Sequence, residues 1–387
     1  MRFFLIAGEA SGDMHAAGLM RELKIKHPKA EFCFLGGDAM MAVGGTLVRH
    51  YRDMAFMGFV NILLNVRKVI RNFKMAKQAI SDFRPDAVIL IDYPGFNLRM
   101  SKYLFNNFSI PVYYYIAPKV WAWKTYRVRQ LKREMKGIIT IFPFETAFFA
   151  RYGLSVYYAG NPSVDALHTF LSQDTLPESE FRKEIGCANK PYIALLPGSR
   201  RQEIAACLPA MLKAAAEFAS YEVVVSGAPG IEPDFYSSFQ THKPLKLVTG
   251  QTYRMLRYAA AAVVNSGTAT LETALLNTPQ VVVYHVKGGR LTYWLKDHIL
   301  KIRYISLVNI LMGKEVVSEL IAHQMTAENI EAELNRILKH PAVKAEMLNA
   351  YSQLRQQLGT AGTADRAASF LLTDLAASNI ESDDTNK

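Results

Sequence analysis

Asp92 closes the most apolar run of the chain, Ala87-Val88-Ile89-Leu90-Ile91, and is followed by the turn Tyr93-Pro94-Gly95-Phe96-Asn97. A carboxylate at the tip of a buried strand faces a cleft, and its apolar approach raises its pKa toward that of a useful general base. A hydroxyl attacking an electrophilic carbon needs such a base. The plainer alternative is a carboxylate that caps the next helix or braces Pro94. Two other strand–turn–helix junctions suit anions. In Leu195-Leu196-Pro197-Gly198-Ser199-Arg200-Arg201-Gln202-Glu203, Gly198 and Ser199 offer backbone and hydroxyl donors. Arg200 adds a permanently charged planar fork suited to phosphate oxygens. Arg201 is the alternative reader, and spacing does not separate the two. In Ala261 to Glu272 an apolar strand runs into Asn265-Ser266-Gly267, with a helix expected from Thr268. Ser266, Gly267 and Thr268 then offer the unpaired N–H groups of a helix N-terminus to a diphosphate. Glu272 lies four residues after Thr268 on the same helix face and can accept hydrogen bonds from a sugar's hydroxyls. Taken alone, an ordinary turn capped by Ser or Thr explains this segment equally well.

A fourth junction, Gly8-Glu9-Ala10-Ser11-Gly12-Asp13, lets a ligand approach the backbone closely but lacks the three-glycine dinucleotide fingerprint, which argues against an NAD enzyme. Glu9 and Asp13 would repel a pyrophosphate, so Glu9, Ser11, Gly12 and Asp13 are placed on the acceptor side. A tight turn with Ser11 as helix N-cap is the alternative.

The elements that must position these groups alternate. Phe3–Ala7, Phe32–Leu35, Ala87–Ile91, Val112–Ile116 and Ile138–Phe142 are predicted strands, separated by helical stretches. The scheme restarts after a polar stretch near 173–184, with strands Tyr192–Leu196, Glu222–Val225, Ala261–Val264 and Gln280–Tyr284. Continuously apolar strands alternating with helices predict parallel sheets covered on both faces. Two Rossmann-like α/β domains facing each other follow, with boundaries at 1–170 and 171–340. Ligands of such sheets bind beyond the strands' carboxyl ends, where every motif above falls. Helices from 341 to 377, with Pro341 opening one and Gly359 ending it, are expected to pack back on the first domain of the same or a partner chain. The polar residues 378–387 are expected to be disordered.

Composition excludes several classes. The 387 residues are half apolar, too many for one core. No signal peptide is expected, and no run approaches the roughly 20 apolar residues of a membrane span. Cys33, Cys187 and Cys207 are odd in number and lack metal-ligand spacing, so a reduced compartment and no metal site are expected. The formal charge of +11 is clustered. Arg67, Lys68, Arg71, Lys74 and Lys77 share one helix; Lys119, Lys124, Arg127, Arg129, Lys132 and Arg133 interleave with Trp121, Trp123 and Tyr126. Lys287, Arg290, Lys296, Lys301 and Arg303 flank Tyr293, Trp294 and Leu295. Basic side chains beside exposed apolar ones suit an anionic membrane surface, with Trp294, Lys296, Lys301 and Arg303 the foremost contacts. No nucleic-acid-binding module is present. A solvated helix face is the simpler explanation of any single cluster.

Seven motifs carry a specific resemblance: Ala-Gly-Glu-Ala-Ser-Gly-Asp (7–13), Ile-Asp-Tyr-Pro-Gly-Phe-Asn (91–97), Val-Trp-Ala-Trp (120–123), Phe-Pro-Phe-Glu (142–145), Leu-Leu-Pro-Gly-Ser-Arg (195–200), Ser-Gly-Thr-Ala-Thr-Leu-Glu (266–272) and Tyr-Ile-Ser-Leu-Val-Asn (304–309). In this order, over almost the whole chain, they resemble the lipid-A-disaccharide synthase family. The resemblance implies a two-domain GT-B glycosyltransferase without cofactor, joining UDP-2,3-diacylglucosamine to 2,3-diacylglucosamine 1-phosphate with inversion. It implies Asp92 as base, Arg200 near the donor phosphates, Asn309 as a further required residue, and the 266–272 turn as donor site. It also implies a cytoplasmic protein bound peripherally to the inner face of a Gram-negative cytoplasmic membrane, and leaves a homodimer open. Two departures from the family pattern, Gly95 for an acidic residue and Ala117-Pro118-Lys119 for Ser-Pro-Ser, lie near the acceptor motifs. The rivals are another GT-B enzyme, such as a UDP-sugar epimerase or the peptidoglycan glucosaminyltransferase, and an inert peripheral membrane protein with a nucleotide-sugar fold.

Overall fold

The computed structural model describes residues 1–54, 66–239, 245–286 and 303–384. The chain divides into two compact units, 1–162 with 360–387, and 163–359. Unit one holds β1 (Arg2–Ala7), β2 (Glu31–Gly36), β3 (Thr46–His50), β4 (Ala87–Ile91), β5 (Val112–Tyr115), β6 (Gly137–Thr140) and β7 (Tyr157–Tyr158). They form one sheet in the order β3-β2-β1-β4-β5-β6-β7, every pairing parallel. Unit two repeats the scheme with β8 (Tyr192–Leu196), β9 (Glu222–Gly227), β10 (Lys246–Thr249), β11 (Ala261–Asn265), β12 (Gln280–Tyr284) and β13 (Glu319–Ile321), in the order β10-β9-β8-β11-β12-β13. These are two Rossmann-like units, as expected.

Period-2 alternation sets the cores. Phe3, Leu5 and Ala7 of β1 join Ile89, Ile91, Tyr113 and Tyr115 on one sheet face. Phe4 and Ile6 join Val88, Leu90, Val112 and Tyr114 on the other. A strand clothed on both faces must be apolar at every position, which is why β1 and β4 read as continuous apolar runs.

The units divide differently from the sequence expectation at the carboxyl end. The helix Pro341–Leu358 stays with unit two, burying Met347, Ala350, Tyr351, Leu354 and Leu358. Arg355 ties it to Leu275 and Asn277. Only the helix Thr363–Asp384 returns to unit one, where Ala367, Ala368, Leu371 and Leu375 enter the core. Lys26 pairs with Asp365 at 2.6 Å, Tyr157 stacks on Phe370 at 4.6 Å, and Tyr113 donates to Asp374 at 2.6 Å. The tail expected to be disordered from 378 is helical to Asp384. Once a long helix is nucleated, each further residue adds a hydrogen bond for the ordering of one residue. No helix among the described residues is long and apolar enough to cross a membrane.

Candidate active site

Strand order changes direction between β1 and β4 in unit one and between β8 and β11 in unit two. Ligands of doubly wound sheets bind beyond the carboxyl ends at such switch points. Topology therefore puts the 8–13 loop beside Asp92, and the 197–200 turn beside the 266–268 turn.

Asp92 and Tyr93 both have left-handed backbones, φ 43° and 46°. Non-glycine residues in that region are uncommon and persist where their surroundings hold them. Here the Tyr114 hydroxyl donates to the Asp92 carbonyl at 2.5 Å and Asn97 Nδ2 at 2.8 Å, while the Tyr93 hydroxyl donates to Met54 at 3.0 Å. The Tyr93 ring lies so close to Gly8 that a Cβ there would stand 2.2 Å from it. The strained turn holds the half-buried Asp92 carboxyl beyond β4. Burial pushes that carboxyl above its ordinary range, opposed by the Lys119 charge and the Tyr93 N–H. Gly95 is exposed, and a Cβ added there would meet no atom within 4 Å, so the missing acidic side chain leaves no packing defect.

The loop expected on the acceptor side divides. Its helix begins at Ala10 with Glu9 at the N-cap, which places Ser11 inside the first turn rather than at the cap. Glu9 lies near enough to Tyr93 to raise its phenol, after burial. Gly12 is buried against Ala7 and Ile91. Asp13 is buried, and its carboxylate accepts the backbone N–H groups of Gly37 (2.6 Å), Ala39 (3.0 Å) and Met40 (3.3 Å). It thereby satisfies the N-terminus of the helix Asp38–Val43. Asp13→Asn turns an NH2 group toward those donors and should cost about 1–3 kcal/mol in urea denaturation, with acceptor KM unchanged. A raised acceptor KM at unchanged stability would return Asp13 to the acceptor side.

In unit two, Gly198 has φ +127°, and a Cβ there would stand 2.7 Å from Glu203 Cβ and 3.0 Å from Asn265 Nδ2. Only glycine fits. Arg200 occupies the N-cap of the helix Arg201–Ala216, its side chain 62% exposed and Nη1 donating to Glu203 at 3.0 Å. The other Glu203 oxygen accepts the Ser199 N–H at 3.0 Å. The Arg201 guanidinium lies over the Phe235 ring at 4.8 Å. Gly267 is the N-cap of the helix Thr268–Leu275, with open space where a Cβ would stand. Ser266 is less available than its position suggests: its N–H donates to Val283 and its hydroxyl to Ile305. Glu272 accepts from the Tyr253 hydroxyl at 2.8 Å, and burial raises its pKa.

Asn309 lies in the first turn of the helix Leu307–Met312 and is fully buried. Its Nδ2 donates to Val317 (2.8 Å) and Glu319 (2.9 Å); its Oδ1 accepts from Val316 (2.7 Å) and Val317 (3.0 Å). Glu319 also accepts from the Ile305 and Ser306 N–H groups. Asn309 therefore organises the 305–319 segment, which in turn receives the Ser266 hydroxyl. Glu319 carried no signal in the sequence, being one of two acids, with Glu315, in the short run Glu315-Val316-Val317-Ser318-Glu319-Leu320-Ile321.

Of the basic clusters, Trp294, Lys296 and Lys301 lie outside the described residues. Arg303 is exposed, its guanidinium 5.3 Å from the Tyr304 ring. Trp121, expected at the surface, is buried: its ring meets Phe144 edge-on at 5.0 Å and its indole N–H donates to Glu145 at 3.1 Å. An indole with a buried acceptor gains more inside than at a wet surface. Tyr126 is 68% exposed. Burial pushes the Glu145 carboxyl up to about 7 against the bonds it receives. A folded-state pKa above the unfolded value of 4.5 means the native protein binds the extra proton, so stability falls as pH rises from 4.5 toward 7. Glu145→Gln removes that titration. Its stability relative to the parent should improve by about 3 kcal/mol across this window, read by urea denaturation at both pH values.

Two Rossmann-like units, with a half-buried carboxyl beyond β4 at one switch point and a glycine turn at the other, belong to the GT-B fold class. A UDP-GlcNAc 2-epimerase from Neisseria meningitidis solved with UDP-GlcNAc superposes with a TM-score of 0.67 at 15% identity, covering 96% of this chain and 100% of that one. The glycotransferase of kitacinnamycin superposes with 0.63 at 13% identity, covering 97% and 99%. At these identities the likeness is one of fold. The family itself is fixed by sequence: the family model described as lipid-A-disaccharide synthetase matches residues 3–373. A lipid-A-disaccharide synthase from Myxococcus xanthus is 39% identical over 379 residues, 96% of this chain and 97% of the relative. The chain belongs to the lipid-A-disaccharide synthase family.

Proposed function

We propose that the protein transfers 2,3-diacylglucosamine from UDP to the 6-hydroxyl of 2,3-diacylglucosamine 1-phosphate, forming a β(1→6) disaccharide 1-phosphate and UDP. Asp92 takes the hydroxyl proton as the oxygen attacks the donor's anomeric carbon. The bond from that carbon to the diphosphate breaks on the opposite face, which inverts the configuration. The leaving electron pair goes to UDP, whose growing charge Arg200 and the N–H groups of Gly267 and Thr268 stabilise without a metal. Glu272 accepts hydroxyls of the donor. What supports the base role is the half-buried Asp92 carboxyl, raised by burial at a strand tip and held by a strained turn. UDP release should require both acylated sugars. Turnover of UDP-GlcNAc lacking acyl chains would favour an epimerase or the peptidoglycan enzyme instead.

The acylated substrates remain largely in the bilayer, so the enzyme works at a membrane surface, in this reading the inner face of the cytoplasmic membrane. Each Lys or Arg near an anionic surface contributes about 1 kcal/mol, screened by salt over about 8–10 Å. Changing Lys296, Lys301 and Arg303 together to Glu should weaken sedimentation with anionic vesicles, most at low salt, while activity on detergent-dispersed substrate survives. Vesicle binding equal to the parent's would move the contact to the first-unit clusters.

A further inference from the structure

Three adjacent strand ends in unit one carry Asp92, the 116–123 segment and Glu145. Ile91 of β4 pairs with Tyr115 of β5, and Tyr115 with Ile139 of β6, so the three strands end level. Asp92 N–H donates to Tyr115 at 3.1 Å and Ile116 N–H to Ile139 at 3.0 Å, which carries the register one step further. Ile116 then turns with φ +63° into the loop that leads to Lys119 and Trp121. Glu145, 1% exposed on the helix Pro143–Ala150, receives only donors. One oxygen accepts the Trp121 indole N–H at 3.1 Å; the other accepts the N–H groups of Ile141 (3.3 Å) and Phe142 (3.1 Å). The two backbone bonds are an ordinary helix cap. The indole bond exceeds what a cap needs, and it anchors the neighbouring strand's loop.

We infer that Glu145 is a positioning residue for the acid–base site, fixing the 116–123 segment through Trp121 and so keeping Lys119 beside the Asp92 carboxylate. The inference rests on Asp92 being the base. Lys119 is exposed, stands two residues before Trp121, and its charge acts on both Asp92 and Glu145. Among the described residues it is the charge that offsets burial at both carboxyls; Glu9 acts on the adjoining Tyr93, and Arg127 on Tyr114. With Lys119 held in place, Asp92 stays ionised to lower pH than its burial alone permits.

The test is the pH dependence of kcat for the full-length enzyme and its Glu145→Gln, Trp121→Phe and Lys119→Met variants. A Gln side chain has one carbonyl oxygen, so it can serve the backbone donors or the indole but not both. All three variants should move the Asp92 limb to higher pH, by about half a pH unit or more; the Glu145 carboxyl, pushed up to about 7, adds its own step in the parent, and Glu145→Gln removes that step. The Glu145→Gln/Trp121→Phe double variant should match Glu145→Gln alone, and inhibition by UDP should stay within about twofold of the parent. If Glu145→Gln does not fold, the two conservative variants carry the test. A lowered melting temperature with an unmoved limb would reduce Glu145 to a helix cap and overturn the inference. So would a Lys119→Met limb identical to the parent's. An acidic limb that survives in Asp92→Asn would remove the base reading and this inference together. A limb that vanishes with Asp92 yet ignores Glu145, Trp121 and Lys119 overturns the positioning role alone.

Discussion

Asp92→Asn should lower turnover by roughly 10²–10⁴-fold while leaving UDP binding within about twofold of the parent. Asparagine keeps the size and tolerates the left-handed backbone that Asp92 adopts at φ 43°, so the turn survives. The carbonyl bonds from Tyr114 and Asn97 involve the main chain and are untouched. What disappears is the proton acceptor. The parent's kcat carries its own signature. A base works only when deprotonated, and burial raises this one above 3.8, so activity should be lost as pH falls through that raised value. Near-normal turnover in the Asn variant would sink the assignment.

Arg200→Lys should weaken UDP binding and turnover together, each by roughly ten- to a hundredfold, the worth of a charge-assisted hydrogen bond that a point charge does not replace. The side chain is 62% exposed and pairs with Glu203 only three residues on, a contact within one helical turn, so folding should be unaffected. Arg201→Lys is the internal control. Its guanidinium is engaged over Phe235, and the change should cost little in UDP affinity. If Arg201→Lys proves the damaging substitution, the two arginines exchange roles.

What could be read in the sequence follows the physics of burial. The strands predicted from apolar runs are the inner strands of both sheets. The four that left no such signal are β3, β7, β10 and β13, the outermost strand at each sheet edge. An edge strand is half-wet: Thr46 and Thr249 are exposed and both residues of β7 only partly buried, so no continuous apolar run is required there. The place of Asp92 at a strand tip was legible because the continuous apolar run before it marks a buried strand. Asp13 read as a loop carboxylate facing ligand, because the three donors it serves lie 24–27 residues away in sequence. Asn309 was marked only by resemblance; its four amide bonds reach to Val316, Val317 and Glu319, beyond any local pattern. The helix Pro341–Leu358 had clear ends, but nothing in its periodicity said which unit its apolar face would meet.

The glycosidic bond that this chain makes is the decisive observable. Purified protein, incubated with UDP-2,3-diacylglucosamine and 2,3-diacylglucosamine 1-phosphate, should give a product whose mass is that of the two joined sugars carrying four acyl chains and one phosphate. NMR of that product should show a β linkage to the 6-position, with one UDP released per disaccharide. Recovery of both substrates unchanged, or of an α-linked product, would contradict the proposed transfer.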